Sequence, residues 1–339
     1  MGTQVLLVAL VLFSLLIVFH ELGHFLVAKL AGIKVREFSI GMGPLVFGRR
    51  VGETFYALRL VPLGGYNRMA GMEPEDLDDP RGFNRKGLGT RFAVIAAGSL
   101  MNLALAVLLY ALIFAAVGLP SNSAVIGKVV PGRPAARAGL AAGDRIVAVD
   151  GQPVADWSEL VGKIRQHPGE QLRLTVERGK ERFTVAVVPE TEPGTQTGLI
   201  GIEQSVRRLN PPAAVWQAVR QTGLMLALII ASLGQMITGR VPVDLVGPVG
   251  IVQLLGQAAR FGAASVLGFA AFISLNLGLL NLFPVPALDG SRLLFLAVEG
   301  LRGKPVDPRK ESLIHLVGFA VLLMAILIIT YRDLVRLFG

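Results

Sequence analysis

Two kinds of pattern alternate along this chain. Four stretches are apolar over the roughly 20 residues that a helix needs to cross a bilayer: Thr3 to Ile33, Phe92 to Gly118, Val266 to Phe283 and Leu313 to Thr330. Between the first two, residues 34–91 are polar and punctuated by Gly and Pro. Three runs of strand formers there, Val35 to Ile40, Pro44 to Phe47 and Thr54 to Val61, predict a small sheet beside the first span. The acidic stretch Glu73 to Asp79 reads as a solvated loop.

After Pro120 the period shortens. Ala124 to Val130, Arg145 to Val149, Leu172 to Val176 and Phe183 to Val187 read as strands and Trp157 to Gln166 as a helix, so residues 122–205 predict a soluble module of domain size. Residues 206–262 are harder. Gln221 to Gly239 is uncharged and makes a marginal span, whereas Pro248 to Ala259 has an amphipathic pattern.

Composition places the chain between the membrane and soluble classes, with 53% hydrophobic and 17% charged residues. The net charge of +9 is spread over several loops, which favours an anionic lipid surface and argues against nucleic acid. The basic residues of 34–91 put that segment on the cytoplasmic side by the positive-inside tendency, and the module of 122–205 then lies outside. No basic region precedes the first apolar run, which reads as a retained span rather than a cleaved signal. With no cysteine in 339 residues, a zinc ion would have to be held by His and carboxylate.

The chemistry is carried by two short motifs. His20-Glu21-Leu22-Gly23-His24 interrupts the first span, and ionisable groups at membrane depth are functional-site candidates by default. On a helix His20 and His24 share a face, with Glu21 beside them. The third span ends in Asn281-Leu282-Phe283-Pro284-Val285-Pro286-Ala287-Leu288-Asp289-Gly290. Its two prolines open the helix and free backbone groups that a protein-lined cavity must satisfy. Counted at helical rise, His20 and Asp289 both fall in the inner half of the membrane, and His20, His24 and Asp289 make a two-histidine, one-carboxylate set with a fourth position left for water. Asp289 is also placed to cap the helix that follows it. A crossing by Gln221 to Gly239 would send Asp289 to the face opposite the histidines. That segment therefore reads as a membrane-surface or partly inserted helix, and four spans are expected.

HELGH in a first membrane helix, NLFPVPALDG in a later one and an interposed module together resemble the site-2 protease family, specifically its bacterial regulators of intramembrane proteolysis. The module's PAARAGLAAGDRIVAVDGQPV resembles a bacterial PDZ domain. The expected fold is thus a polytopic α-helical membrane protein with four transmembrane helices, a small membrane-associated β-sheet and one inserted extracytoplasmic PDZ domain: 1–33, 34–91, 92–118, 122–205, 206–262, 263–300 and 313–332. The resemblance implies one zinc ion held by His20, His24 and Asp289, with Glu21 as general acid/base. It implies a single-pass membrane protein as substrate, such as an anti-sigma factor or a remnant signal peptide, in a bacterial cytoplasmic membrane. It also implies substrate contacts from Asn281, from Asn102 in Gly98 to Asn102, and from a strand containing Thr54, Phe55, Tyr56, Ala57 and Leu58. Ser99 stands where the family more usually has proline. In the module, Gly198, Leu199, Ile200, Gly201 and Ile202 resemble the loop that receives a peptide terminus, or serve as a size filter. Two other readings are a prenyl-protein-processing type of membrane protease, with a glutamate as third ligand, and a PDZ scaffold whose metal site is structural or vacant.

Overall fold

A computed structural model describes residues 3–73, 76–192, 196–242 and 246–338, so Pro74 and Glu75 of the acidic stretch lie outside the described residues. In chain order the helices are α1 (Thr3–Leu30), α2 (Leu88–Ala116), α3 (Pro134–Arg137), α4 (Trp157–Arg165), α5 (Pro211–Ile237), α6 (Pro248–Arg260), α7 (Ala263–Leu280), α8 (Asp289–Arg302) and α9 (Pro308–Phe338). Two long strands, β1 (Val35–Val51) and β2 (Thr54–Met69), follow α1. The chain divides into two compact units, residues 1–113 with 215–339, and residues 114–214.

In the first unit, helices approach one another through small residues. A methyl built at Gly23 of α1 would meet the backbone of Ala97 in α2, and one at Gly278 of α7 would lie 2.9 Å from the Ser99 carbonyl oxygen. Close backbone approach of this kind is how helices associate where lipid removes the usual hydrophobic drive. Among the described residues five helices, α1, α2, α5, α7 and α9, are long and apolar enough to cross a membrane, one more than the expected four. The extra one contains the stretch expected at the surface. Residues 221–239 fall largely within the 27-residue α5, whose Met225, Leu226 and Ile229 pack on Ala106 of α2 and on Ala271 and Leu275 of α7.

The three expected strand runs form one bent hairpin rather than three short strands. Val51 and Thr54 close it around Gly52, which takes φ +60°, a conformation open to glycine at no steric cost. Both strands then fold over at glycines with positive φ, Gly41 and Gly43 in β1 and Gly64 in β2. As a result Glu37 to Ile40 lies between Phe55 to Leu58 on one side and Gly65 to Arg68 on the other, while Phe47 to Arg50 pairs with the far side of Phe55 to Leu58. Thr54 to Leu58 is therefore interior to the sheet, with Gly65 to Met69 along an edge. Ala28, Ile33, Val35, Met69 and Val94 form a small core that fixes this sheet against the end of α1 and the start of α2.

The acidic loop is not simply solvated. Asp79 accepts from Lys34 Nζ at 2.9 Å and Arg36 pairs with Asp76, so these two acids are fastened at the start of β1.

The second unit is built in the ordinary way for a soluble domain. Strands β3 (Leu119–Pro120), β4 (Ile126–Val129), β5 (Arg145–Val149), β6 (Gln152–Pro153), β7 (Leu172–Arg178) and β8 (Glu181–Val187) are followed by β9 (Glu190–Thr191), β10 (Gly198–Leu199), β11 (Ile202–Gln204) and β12 (Val206–Arg207). The main sheet has the order β6-β5-β7-β8 and is antiparallel throughout. Its core gathers Ile126, Ile146, Leu160, Ile164, Leu172, Leu174, Val176 and Ile200. Asp156 caps α4 by accepting the Glu159 N–H at 2.9 Å, and the Glu159 carboxylate accepts the N–H of Ala155 just before the cap at 2.9 Å. Entry and exit of the unit adjoin, since β3 pairs with β12.

Candidate metal centre

Two motifs separated by more than 260 residues meet in the first unit. α1 presents His20 and His24 one turn apart on one face, both buried. α7 stops at Leu280 because Pro284 and Pro286 cannot continue it, and the chain turns back so that the Asn281 carbonyl accepts the Gly290 N–H at 2.7 Å. Ala287 takes φ +76°, uncommon for a residue with a side chain, and Asp289 follows at the first turn of α8.

The geometry brings three donor atoms to one point. His20 Nε2 lies 3.0 Å from Asp289 Oδ2, His24 Nε2 lies 3.1 Å from the same oxygen, and the two nitrogens are 3.2 Å apart. Ligands of a tetrahedral zinc at 2.0–2.1 Å stand roughly 3.3 Å from one another, so the triangle has the size such an ion needs. The chemistry of the donors agrees. Val94 O can only accept, so the 2.8 Å contact from His24 Nδ1 puts that nitrogen's proton on the far side of the ring and leaves Nε2 its lone pair.

His20 is oriented by Asn102, whose amide lies 3.4 Å from Nδ1. Asn102 is fully buried and its Oδ1 has no partner. Turning that amide by 180° would satisfy the oxygen with the His20 Nδ1–H and free Nε2 for a metal, a reassignment that amide side chains permit. Gly98 completes the cradle. A methyl there would fall 2.6 Å from His24 Cε1 and 2.8 Å from His20 Cε1. Among the described residues His20, His24 and Asp289 are the group that could hold a metal ion.

Glu21 lies next to this triangle in a cavity of about 360 Å³ that His24, Tyr66, Asn67, Met69, Asp289, Arg292 and His315 also line. Asn67 Nδ2 donates both to Glu21 Oε2 at 2.7 Å and to the Glu21 carbonyl at 2.6 Å. Tyr66, next along the same strand, donates its hydroxyl to Glu37 at 2.7 Å, and Glu37 also accepts from Arg59 at 2.6 Å.

The residues expected from sequence distribute as follows. His20, Glu21, His24 and Asp289 converge, and Asn281 Nδ2 comes within 3.5 Å of His20 Nε2. Asn102, expected at the substrate, is fully buried against the Nδ1 side of His20. Thr54, Phe55, Tyr56, Ala57 and Leu58 lie in an interior strand of the sheet rather than along an edge. Both sides of that strand are already paired, Thr54 is buried with its hydroxyl on the Val35 carbonyl, and the cavity is met by Tyr66, Asn67 and Met69 instead. Tyr66, Asn67 and Arg292, which sequence reasoning did not single out, line this cavity as well. The one available signal was Gly64-Gly65 just before Tyr66, a pair that marks a bend of the backbone close to a neighbour. In the second unit, Leu199 to Ile202 lines a cavity of about 400 Å³ with Trp157, Val161 and Ile164.

A carboxylate-completed histidine pair beside a glutamate, set on helices apolar enough for a membrane, defines the class of membrane metallopeptidases. The chain belongs to peptidase family M50, whose model matches residues 8–325, and is a site-2 type zinc metalloprotease. It is 36% identical to the zinc metalloprotease RasP of Geobacillus kaustophilus, with 97% of each chain covered. It is also 36% identical to a putative zinc metalloprotease of Clostridium acetobutylicum, again over 97% of each. A regulator of sigma-W protease RasP from Bacillus subtilis is 31% identical over 97% of this chain and 98% of that one. Among solved structures, the PDZ domain of an SdrC-like protein from Listeria monocytogenes is similar over 25% of this chain and 90% of its own, at 22% identity and a TM-score of 0.23.

Proposed function

We propose that this protein hydrolyses peptide bonds within or next to the membrane span of single-pass membrane proteins, with one zinc ion per chain held by His20, His24 and Asp289. The observation that carries the reading is the triangle of Nε2, Nε2 and Oδ2 atoms with sides of 3.0, 3.1 and 3.2 Å, one residue from Glu21. Bound there, zinc would polarise the scissile carbonyl and bring the pKa of a water toward neutrality. Glu21 takes the proton of the attacking water and hands it to the leaving amine, the role of a general acid/base. Asn281 would hold the substrate backbone, a role supported by its amide lying 3.5 Å from His20 Nε2.

A peptide bond inside a helix is shielded by its own hydrogen bonds. The substrate must unwind, and strand addition on a sheet edge replaces the bonds it loses. The edge Gly65 to Met69 borders the catalytic cavity and takes over the role first expected of Thr54 to Leu58. Membrane-anchored anti-sigma factors fit as substrates, and the designation of the Bacillus subtilis relative points the same way.

Four crossings remain the topology we favour, and the position of α6 supports it. Gly250 N–H at the start of α6 donates to Asp333 near the end of α9 at 2.8 Å, and Gly256 lies against Val5 at the start of α1. These two ends share the outer face if α1 runs inward. α5 also starts from that face, since the second unit's entry and exit adjoin. Only about ten residues join α5 to α6, a reach of roughly 35 Å when fully stretched, and bare extended backbone does not cross lipid. α5 then enters the membrane beside α2 and α7 without completing a crossing. The second unit is an extracytoplasmic PDZ domain in this reading, supported by its sequence motif and by the groove between α4 and Leu199 to Ile202.

The test is Glu21→Gln, purified beside the wild type and given a model single-pass substrate in one detergent. Cleavage should disappear with zinc content unchanged; undiminished cutting would sink the assignment.

A further inference from the structure

Asn67 makes two hydrogen bonds that fix its own orientation and that of Glu21. The Glu21 carbonyl can only accept, as can the Glu21 carboxylate, so the side of the Asn67 amide that lies 2.6 and 2.7 Å from them must be the NH₂ group. Its other side is then fixed as oxygen. That Oδ1 is buried and has no partner, on a residue that lines the cavity holding Glu21 and Asp289. Buried acceptors of this kind are normally satisfied, and leaving one open is unfavourable. Asn67 also belongs to the edge segment of β2, between Tyr66, held by Glu37, and Met69, held in the small core.

From these contacts we propose that Asn67 is a positioning residue that couples substrate docking to the general base, its NH₂ holding Glu21 and its free Oδ1 accepting a backbone N–H of the docked substrate. This rests on the proteolytic reading above. The strand that receives the substrate and the carboxylate that works on it are joined by one side chain. Glu21 would otherwise be free to turn about its side-chain bonds, and a base displaced from the reacting atoms loses most of the roughly 10²- to 10⁴-fold that proton transfer contributes. Once the substrate strand lies along Gly65 to Met69, the open acceptor is filled, and Asn67 is held from both ends.

Two substitutions separate the halves of the proposal. Asn67→Asp keeps acceptor oxygens but replaces the amide donor with a carboxylate that repels Glu21. Asn67→Val removes both functions. Steady-state cleavage of the model substrate by the full-length protein should show kcat reduced at least tenfold in both variants. KM should stay within twofold of wild type for Asp and rise about fivefold for Val, the effect of one lost hydrogen bond. Zinc content and unfolding temperature should be unchanged in both. A kcat within twofold of wild type in either variant, equal KM values in the two, or a loss of activity that follows loss of zinc or of folding would overturn the proposal. Glu21→Gln serves as the reference: if it still cleaves, the proteolytic reading has failed, whereas an inactive Glu21→Gln beside a fully active Asn67→Val counts against Asn67 alone.

Discussion

The two units of this chain solve the packing problem in opposite ways. The inserted unit holds itself together with a single cluster of buried apolar residues among those described, Ile126, Leu160, Leu174 and Ile200 included, arranged around a sheet and a capped helix. Among the described residues the membrane unit has small apolar clusters near its site and brings its helices together where side chains are missing, at Gly23, Gly98 and Gly278. In water a core gains by every methylene it buries. In lipid that gain is absent, and contact depends on how closely backbones approach. The inserted unit should therefore be sensitive to atoms removed, and the metal centre to atoms added.

The largest effect expected from this contrast is at Gly98. One added methyl in Gly98→Ala drives into both histidine rings, and we expect zinc content to collapse and cleavage to fall at least a hundredfold while the helices still form by circular dichroism. Full zinc in Gly98→Ala would break the comparison. Next comes Leu174→Ala in the inserted unit, where hydrogen exchange in the full-length protein should report a loss of about 2–5 kcal/mol confined to that unit. Zinc content should not change.

A smaller effect belongs to the buried Asp144. Its carboxylate accepts from Arg178 Nε at 2.7 Å, from Arg178 Nη2 at 2.8 Å and from the Ala141 N–H at 2.8 Å. The hydrogen bonds from Arg178, more than the opposing effect of burial, hold it below the usual carboxylate range. Because the folded value lies below the unfolded one of about 3.9, this stability is fully present above that pH and is lost as the pH falls through the lower, folded value. Protection of the inserted unit should decline below about pH 4 in wild type, and Arg178→Ala should flatten that acid-side decline. The smallest effect is at Tyr66→Phe, which removes only the bond to Glu37 from the edge segment. Cleavage should drop by less than about fivefold, in keeping with one hydrogen bond worth about 1 kcal/mol.

Much of this contrast was legible in the sequence, and what was not follows from where information is local. HELGH is five consecutive residues on one helix, and Pro284-Val285-Pro286 announces a broken helix before Asp289, so the donor set could be assembled by counting depth. The inserted unit was legible because its strands alternate and end in turns, as expected of a half-buried sheet. The edge of the membrane-side sheet was hidden. Thr54 to Leu58 has the better strand composition, yet pairing partners are chosen by the bends at Gly41, Gly43 and Gly64, and these bring Asn67 onto Glu21 instead. Asn102 carried the same kind of ambiguity, since a polar residue in a membrane helix reads alike whether it faces a substrate or the back of His20. The length of α5 was underestimated because apolarity within Pro211–Ile237 is uneven, and its contacts with Ala106 and Leu275 come from distant parts of the chain.

The central claim is that a helix broken by two prolines completes, with Asp289, the metal site that HELGH begins. Zinc bound per chain by purified Asp289→Ala, measured beside wild type in the same detergent, tests it most directly. Near one zinc per wild-type chain and a loss of most of it in the variant is the expected result. Full zinc retention by Asp289→Ala would contradict the claim and move the third ligand elsewhere, as a membrane protease with a downstream glutamate ligand requires.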